Sequence, residues 1–208
     1  MLRLFVALLL LAAVPALADY TTTPATGPCS CEGVSDAVKA ALDSNGYQVK
    51  DSSGAPYVDV WLAKSIAMGS QPPGGADFAI PPTTMVGVIR YARGGSDFRG
   101  QAIKPGFYVM RFNVQPEDGD HQGASPRRDH LLLSPAADDK DPAAKLAFEA
   151  AVDLSRKASG TRHPLVLFLT TPDGSQFPSI KHAGNRDVLQ VKSGSAALGI
   201  VIAGKAEE

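Results

Sequence analysis

From residue 47 onward the apolar positions of the chain recur at every second place, the period of a strand with one face covered. In the segment 57–63, Val58, Val60 and Leu62 share one face while Tyr57, Asp59 and Trp61 share the other. The turn composition Asp51-Ser52-Ser53-Gly54 joins this segment to 47–50 as a predicted hairpin. Further strands are predicted at 85–91, 106–114, 129–133, 165–169, 188–192 and 197–203, the last two joined by Ser193-Gly194-Ser195. Within 106–114, Tyr108, Met110, Phe112 and Val114 take the core side, and Phe107, Val109 and Arg111 the opposite one. Leu131-Leu132-Leu133 and 165–169 are unbroken apolar runs, as strands covered on both faces require. Trp61 falls opposite the core face and is expected beneath a neighbouring loop or helix.

The helical period shows twice. Ser35 is placed to cap a short helix running to Leu42, with Val34, Val38 and Ala41 or Leu42 at helical spacing and Gly46 as its stop. A second helix is predicted from Asp141 as N-cap and Pro142 in the first helical position to Gly160, with Asp138 and Asp139 near its positive end and Arg156 and Lys157 near its negative end. Ala144, Phe148, Ala151 or Val152, and Ser155 form its buried stripe. The pattern as a whole predicts a mainly β fold, an antiparallel β-sandwich of about eight strands carrying two helices. The alternative is an α+β arrangement in which the second helix is one right-handed crossover.

The N-terminus follows a different logic. Met1-Leu2-Arg3 is a short basic start, 4–14 is an apolar run, and Ala16-Leu17-Ala18 is a small-x-small cleavage signal. The apolar run is shorter than the roughly 20 residues a membrane-spanning helix needs, so residues 1–18 are expected to be a cleaved signal peptide. This predicts a periplasmic or secreted protein with no membrane span after cleavage. Residues 19–33, rich in Thr, Pro and Gly, are expected to be a flexible N-terminal segment, and 34–208 a single sandwich domain. Loss of Arg3 leaves 19 basic against 21 acidic residues, a balance that offers no general attraction to nucleic acid. Cys29 and Cys31 lie one residue apart; an oxidising compartment favours a disulfide, though one that closes so small a loop adds little chain-entropy stabilisation.

The polar loop 115–128 holds the densest cluster of ligand-bearing side chains. Asp118, Asp120, Gln122, Gly123, Ala124 and Asp129 follow much of a calcium-loop template, with oxygen ligands at positions one, three and five, glycine at six and an acid at twelve. The template is broken by Gln122 at five, Pro126 at nine and the nearby charges of Arg127 and Arg128. A Zn2+ site would instead use His121 with Asp118, Asp120, Asp129 or His130, but adjacent strand residues point to opposite faces, so Asp129 and His130 cannot both serve it. Without a metal, Glu117, Asp118, Asp120, His121, Arg128 and Asp129 form the rim of a binding face.

The string Ile-Lys-Pro-Gly-Phe-Tyr-Val-Met-Arg-Phe from Ile103, followed by Asp-Gly-Asp-His, Ser-Pro-Arg-Arg-Asp, Leu-Leu-Leu-Ser-Pro-Ala-Ala and Asp-Lys-Asp-Pro, resembles an uncharacterised group of exported bacterial β-rich proteins with no assigned activity. The resemblance implies export and a mostly β domain, and it brings no catalytic residue.

Motifs of common enzymes are absent: the chain has no Gly-x-Ser-x-Gly, His-Glu-x-x-His, Walker loop or Gly-x-Gly-x-x-Gly. The expectation is therefore a non-catalytic binding or accessory domain of the cell envelope, meeting an envelope or extracellular ligand through the 117–129 loop. The rival is a metal-dependent hydrolase using the 117–130 loop.

Overall fold

The computed structural model describes residues 20–25, 27–116 and 127–205. Residues 1–18, expected as a signal peptide, and the loop residues 117–126 lie outside the described residues. Strand accounts for 41% of the described residues and helix for 10%, so the class is mainly β. The strands are β1 (Thr21–Ala25), β2 (Gly46–Lys50), β3 (Pro56–Leu62), β4 (Met85–Tyr91), β5 (Gly95–Ser96), β6 (Ala102–Ile103), β7 (Gly106–Val114), β8 (Asp129–Pro135), β9 (Val166–Thr170), β10 (Ser179–Ala183), β11 (Arg186–Ser193) and β12 (Ala196–Gly204). The helices are α1 (Asp36–Ala41) and α2 (Phe148–Ser159).

These strands do not form the expected eight-stranded sandwich. Ten of them make one antiparallel sheet in the order β1-β2-β3-β4-β7-β8-β9-β12-β11-β10, while β5 and β6 form a separate ribbon. The sheet curls until it is nearly closed into a barrel, with its edges β1 and β10 side by side. A sandwich needs a break between two sheets, whereas here β8 to β9 and β9 to β12 are continuously hydrogen-bonded. Register shifts at Val49/Lys50, Met85/Gly87 and Asp187/Val188 bend the strands toward closure. The crossover alternative also fails, because β8 and β9 are adjacent and antiparallel, so α2 is an excursion over the outer face.

Inward alternation is as the sequence predicts. Tyr108, Met110 and Phe112 of β7 stand beside Pro135, Leu133 and Leu131 of β8, and Leu131 in turn beside Leu167 of β9. Leu169, Ile200 and Leu189 continue the same layer through β9, β12 and β11. All of these apart from Pro135 and Tyr108 are 1% exposed or less, each burial worth about 1.5–3 kcal/mol. Hydrogen bonds also tie the walls to each other: Tyr57 Oη of β3 donates to Ile202 O of β12 at 3.1 Å, and Ser193 Oγ to Ala63 O at 2.6 Å.

The outer face is covered in two places. Ser35 caps α1 as expected, its Oγ accepting from Val38 N at 3.2 Å. Cys31, Val34, Val38 and Leu42 join the buried cluster that contains Trp61, and the Trp61 indole donates to Gly27 O at 3.4 Å. Trp61 is thus covered by the N-terminal segment. Cys29 and Cys31 form a disulfide within that cover. The same segment contains a strand where a flexible lead-in was expected, since β1 pairs with β2 from Thr21↔Lys50 to Ala25↔Gly46. The second cover is α2, whose Ala151 and Val152 pack on Leu132, Val166, Phe168, Val188 and Val201.

Helix α2 begins at Phe148 rather than at Pro142. The Asp141 and Ala144 carbonyls, which an earlier start would use inside the helix, instead accept from the Arg111 guanidinium at 2.7 and 3.2 Å. Its C-terminus is as predicted, with Gly160 left-handed and its N–H bonded to Arg156 O.

Candidate functional site

Glu117, Asp118, Asp120, His121 and Gln122, expected as binding or metal-ligating residues, lie outside the described residues. Arg128 and Asp129 are described and do not share a task. Asp129 is 1% exposed, and its carboxylate accepts the backbone N–H groups of Asp77 (2.9 and 3.1 Å) and Phe78 (3.2 Å). Arg128 donates to Gln115 O at 2.9 Å and to Gly74 O at 2.6 Å. Both residues thus fasten the far stem of the polar loop to neighbouring backbone. Among the described residues no group of three or more His, Cys, Asp and Glu side chains converges as a metal site would require.

The buried acids follow the same rule. Asp59 binds Arg90 and Gln48, Asp97 binds Arg99, Asp139 binds Arg111, and Asp187 stands 3.1 Å from the His182 ring. Each buried aspartate of the described residues is committed to a structural partner.

A different place combines space with uncommitted polar groups. On the outer face of β8 and β9, the alternate residues His130, Leu132, Val166 and Phe168 form a floor. Phe148, Glu149, Val152 and Arg156, on one side of α2, form a wall. Between them runs a groove of about 490 Å³, within the usual size of small-molecule sites. Gln115 and Pro116, the last described residues before the polar loop, line it as well.

One end of the groove is built by three arginines around the connection from α2 to β9. Asp97, fully buried between β5 and β6, accepts the backbone N–H groups of Arg99 and Gln101 at 3.0 Å and Arg99 Nη2 at 2.8 Å. Arg99 Nη2 also donates to Pro164 O at 2.6 Å, which holds the side chain against the groove, while its Nε is shielded from solvent with no acceptor among the described residues. Arg156 donates through Nε to Arg162 O at 2.8 Å and through Nη1 to Asp153 at 2.8 Å. Arg162 and His163 are exposed and line the groove, and among the described residues their side chains have no acidic partner.

Opposite this basic end the surface is apolar. Phe98 stacks edge-on against Phe168 at 6.1 Å and fixes the ring that floors the groove. Phe148, expected in the buried stripe of its helix, is 39% exposed at the groove. His163 borders it too. The site draws on the β5–β6 ribbon, β8, α2 and the α2–β9 connection, so no local motif announces it.

Two further depressions are less equipped. One of about 600 Å³, bounded by Pro81, Thr84, Met85 and Leu146, also touches Thr83 and Ala144, whose carbonyls accept from Arg111. Another, of about 200 Å³, lies beside Lys181 and Arg186. No family model, no curated protein and no solved structure matches the chain.

Proposed function

We propose that the protein is an exported, non-catalytic binding or accessory domain of the cell envelope, and that its ligand site is the groove between α2 and the outer face of β8 and β9. The observation that carries this reading is the combination of about 490 Å³ of space with an apolar floor and convergent donors from Arg99, Arg156 and Arg162. The buried acids favour binding over chemistry, since each is held by a structural partner and none stands ready as a general base. The leader-like residues 1–18 support export. Gln115 and Pro116, which lead into the polar loop, line the same groove.

The test is methyl-detected NMR of the protein recovered after export, titrated with a library of small organic molecules. Hits are expected to shift Leu132, Val152 and Val166 together and to be recovered chemically unchanged. Hits that cluster elsewhere on the barrel defeat the site, and turnover of any of them defeats the non-catalytic reading.

A further inference from the structure

We infer that the groove takes an amphipathic oxyanion, with a carboxylate, sulfate or phosphate ester head at the Arg162 end and an apolar body along Leu132, Val166 and Phe168. This inference rests on the groove being the ligand site.

The polarity of the groove runs along its length. Arg99 and Arg156 each spend part of their donor capacity on Asp97 and Asp153, and each retains Nη hydrogens for which the described residues supply no acceptor. Arg162 adds a guanidinium with no acidic partner among the described residues, and its backbone carbonyl is itself the acceptor for Arg156 Nε. Donors therefore outnumber acceptors at this end, and an oxyanion supplies what is missing. Arginine forks match carboxylate and phosphate oxygens in pairs, where a neutral hydroxyl satisfies one N–H at most.

The other end discriminates against the same head group. Glu149 lies seven residues before Arg156 on α2, about 10 Å along the axis. Its carboxylate repels an anion there and sets the ligand's direction. Between the ends, Val152, Leu132, Val166 and Phe168 expose carbon to the groove, and Phe148 stands partly exposed beside Glu149. From Phe148 to Arg156 the helix wall is about 12 Å long, room for a medium-length acyl chain or an aryl body. A free inorganic anion would leave this surface wet.

The experiment titrates the exported protein with octanoate, octyl phosphate, octanol, octylamine and inorganic phosphate, following the methyl and arginine side-chain resonances of the groove. Octanoate or octyl phosphate is expected to shift both the arginine signals and the Leu132 and Val166 methyls, and whichever binds more tightly identifies the head group. Arg162→Gln removes an exposed side chain that makes no ion pair among the described residues, and is expected to weaken that binding about tenfold or more with the fold unchanged. Phe148→Ala is expected to weaken the octyl anions and leave inorganic phosphate unaffected.

Equal or tighter binding of octanol or octylamine at the same methyls overturns the oxyanion assignment while the groove stands. Inorganic phosphate binding as tightly as octyl phosphate overturns the apolar body. Silence of the groove resonances toward every probe overturns both the ligand class and the groove.

Discussion

Arg111 of β7 and Asp139, beyond the end of β8, form a two-pronged ion pair in the interior, with Nε 2.7 Å from Oδ2 and Nη2 2.6 Å from Oδ1. Both side chains are almost wholly buried. The remaining guanidinium hydrogens go to Thr83 O at 2.8 Å, Asp141 O at 2.7 Å and Ala144 O at 3.2 Å. All five N–H groups of the guanidinium are thus used, the condition under which a buried charge is tolerated. Thr83, whose carbonyl faces Arg111, sits at φ 64, a left-handed conformation disfavoured for a β-branched residue. One side chain therefore fixes three stretches of irregular backbone and with them the approach to α2.

Removing one member of this pair should cost far more than removing both. Arg111→Met leaves the Asp139 carboxylate buried without its counter-charge, and an expected loss of about 3–5 kcal/mol follows. Arg111→Met combined with Asp139→Leu should recover part of that loss, though the carbonyls of Thr83, Asp141 and Ala144 still lack their donor. Urea unfolding of Arg111→Met, of Asp139→Leu and of the double variant measures it. Losses below about 1 kcal/mol for the single variants would show that the pair is not structurally coupled.

The same residues mark how far the sequence was readable. Alternation placed Arg111 opposite Tyr108, Met110 and Phe112, as the register has it, but nothing local tied it to Asp139, 28 residues on. Asp138, Asp139, Asp141 and Pro142 made a sound helix start by local chemistry, which Arg111 overrides by taking the Asp141 and Ala144 carbonyls. The short strand β10 carries Lys181 and His182 on a sheet edge and lacks the apolar signal of an inner strand. Sandwich and barrel share one alternation, and the bulges that decide closure leave no periodic trace. The groove was least legible, because Arg99, His130, Phe148 and Arg162 meet only once the sheet has curled and α2 has docked.

Above pH 10 the tyrosines should govern stability. Tyr91 is wholly buried, its hydroxyl has no acceptor among the described residues, and its ring lies edge-on to Tyr57 at 5.8 Å and Tyr108 at 6.3 Å. Burial pushes the ionisation of Tyr91 and Tyr57 upward, reinforced by the neighbouring tyrosines. A proton held more tightly in the folded state gives stability that is complete below the unfolded value of about 10 and lost as pH rises past it, at about 1.4 kcal/mol per pH unit for each such group. Tyr91→Phe should reduce this alkaline slope by one proton and, having removed an unpartnered hydroxyl, leave stability at pH 7 equal or higher. Tyr57→Phe, which breaks the bond to Ile202 O, should cost about 0.5–1.5 kcal/mol at pH 7. Denaturant unfolding from pH 7 to 11 decides, and an unchanged slope in Tyr91→Phe contradicts the assignment.

Gly87 is needed for space rather than for turning. A Cβ at this position would stand 2.2 Å from the Trp61 carbonyl oxygen and 2.9 Å from Leu62 Cα, where β3 and β4 pair across Leu62 and Gly87. Neither backbone atom can swing aside, so Gly87→Ala has to push β3 away from β4. An expected loss of at least about 2 kcal/mol follows. Gly74→Ala is the control, since a Cβ there meets nothing within 4 Å. Comparable melting temperatures for the two variants would show that the strands give way without cost.

Asp129 separates the structural from the metal-binding reading of the polar loop. In the calcium template it supplies the acid at position twelve, yet its carboxylate accepts from Asp77 and Phe78 N–H, and Arg127 pairs with Asp77 beside it. To reach an ion it would have to abandon two backbone donors. Asp129→Asn keeps one oxygen, where Oδ1 now accepts from both Asp77 and Phe78, but gives up the charge and the Oδ2 contact, and should cost about 0.5–1.5 kcal/mol with or without calcium. After chelation, added Ca2+ or Zn2+ should leave the midpoint of the unmodified protein unchanged, because a ligand shifts it only by binding the native state. A midpoint that rises with Ca2+ in the unmodified protein and stays fixed in Asp129→Asn would return this carboxylate to the role of metal ligand, and the 117–129 loop to that of a metal site.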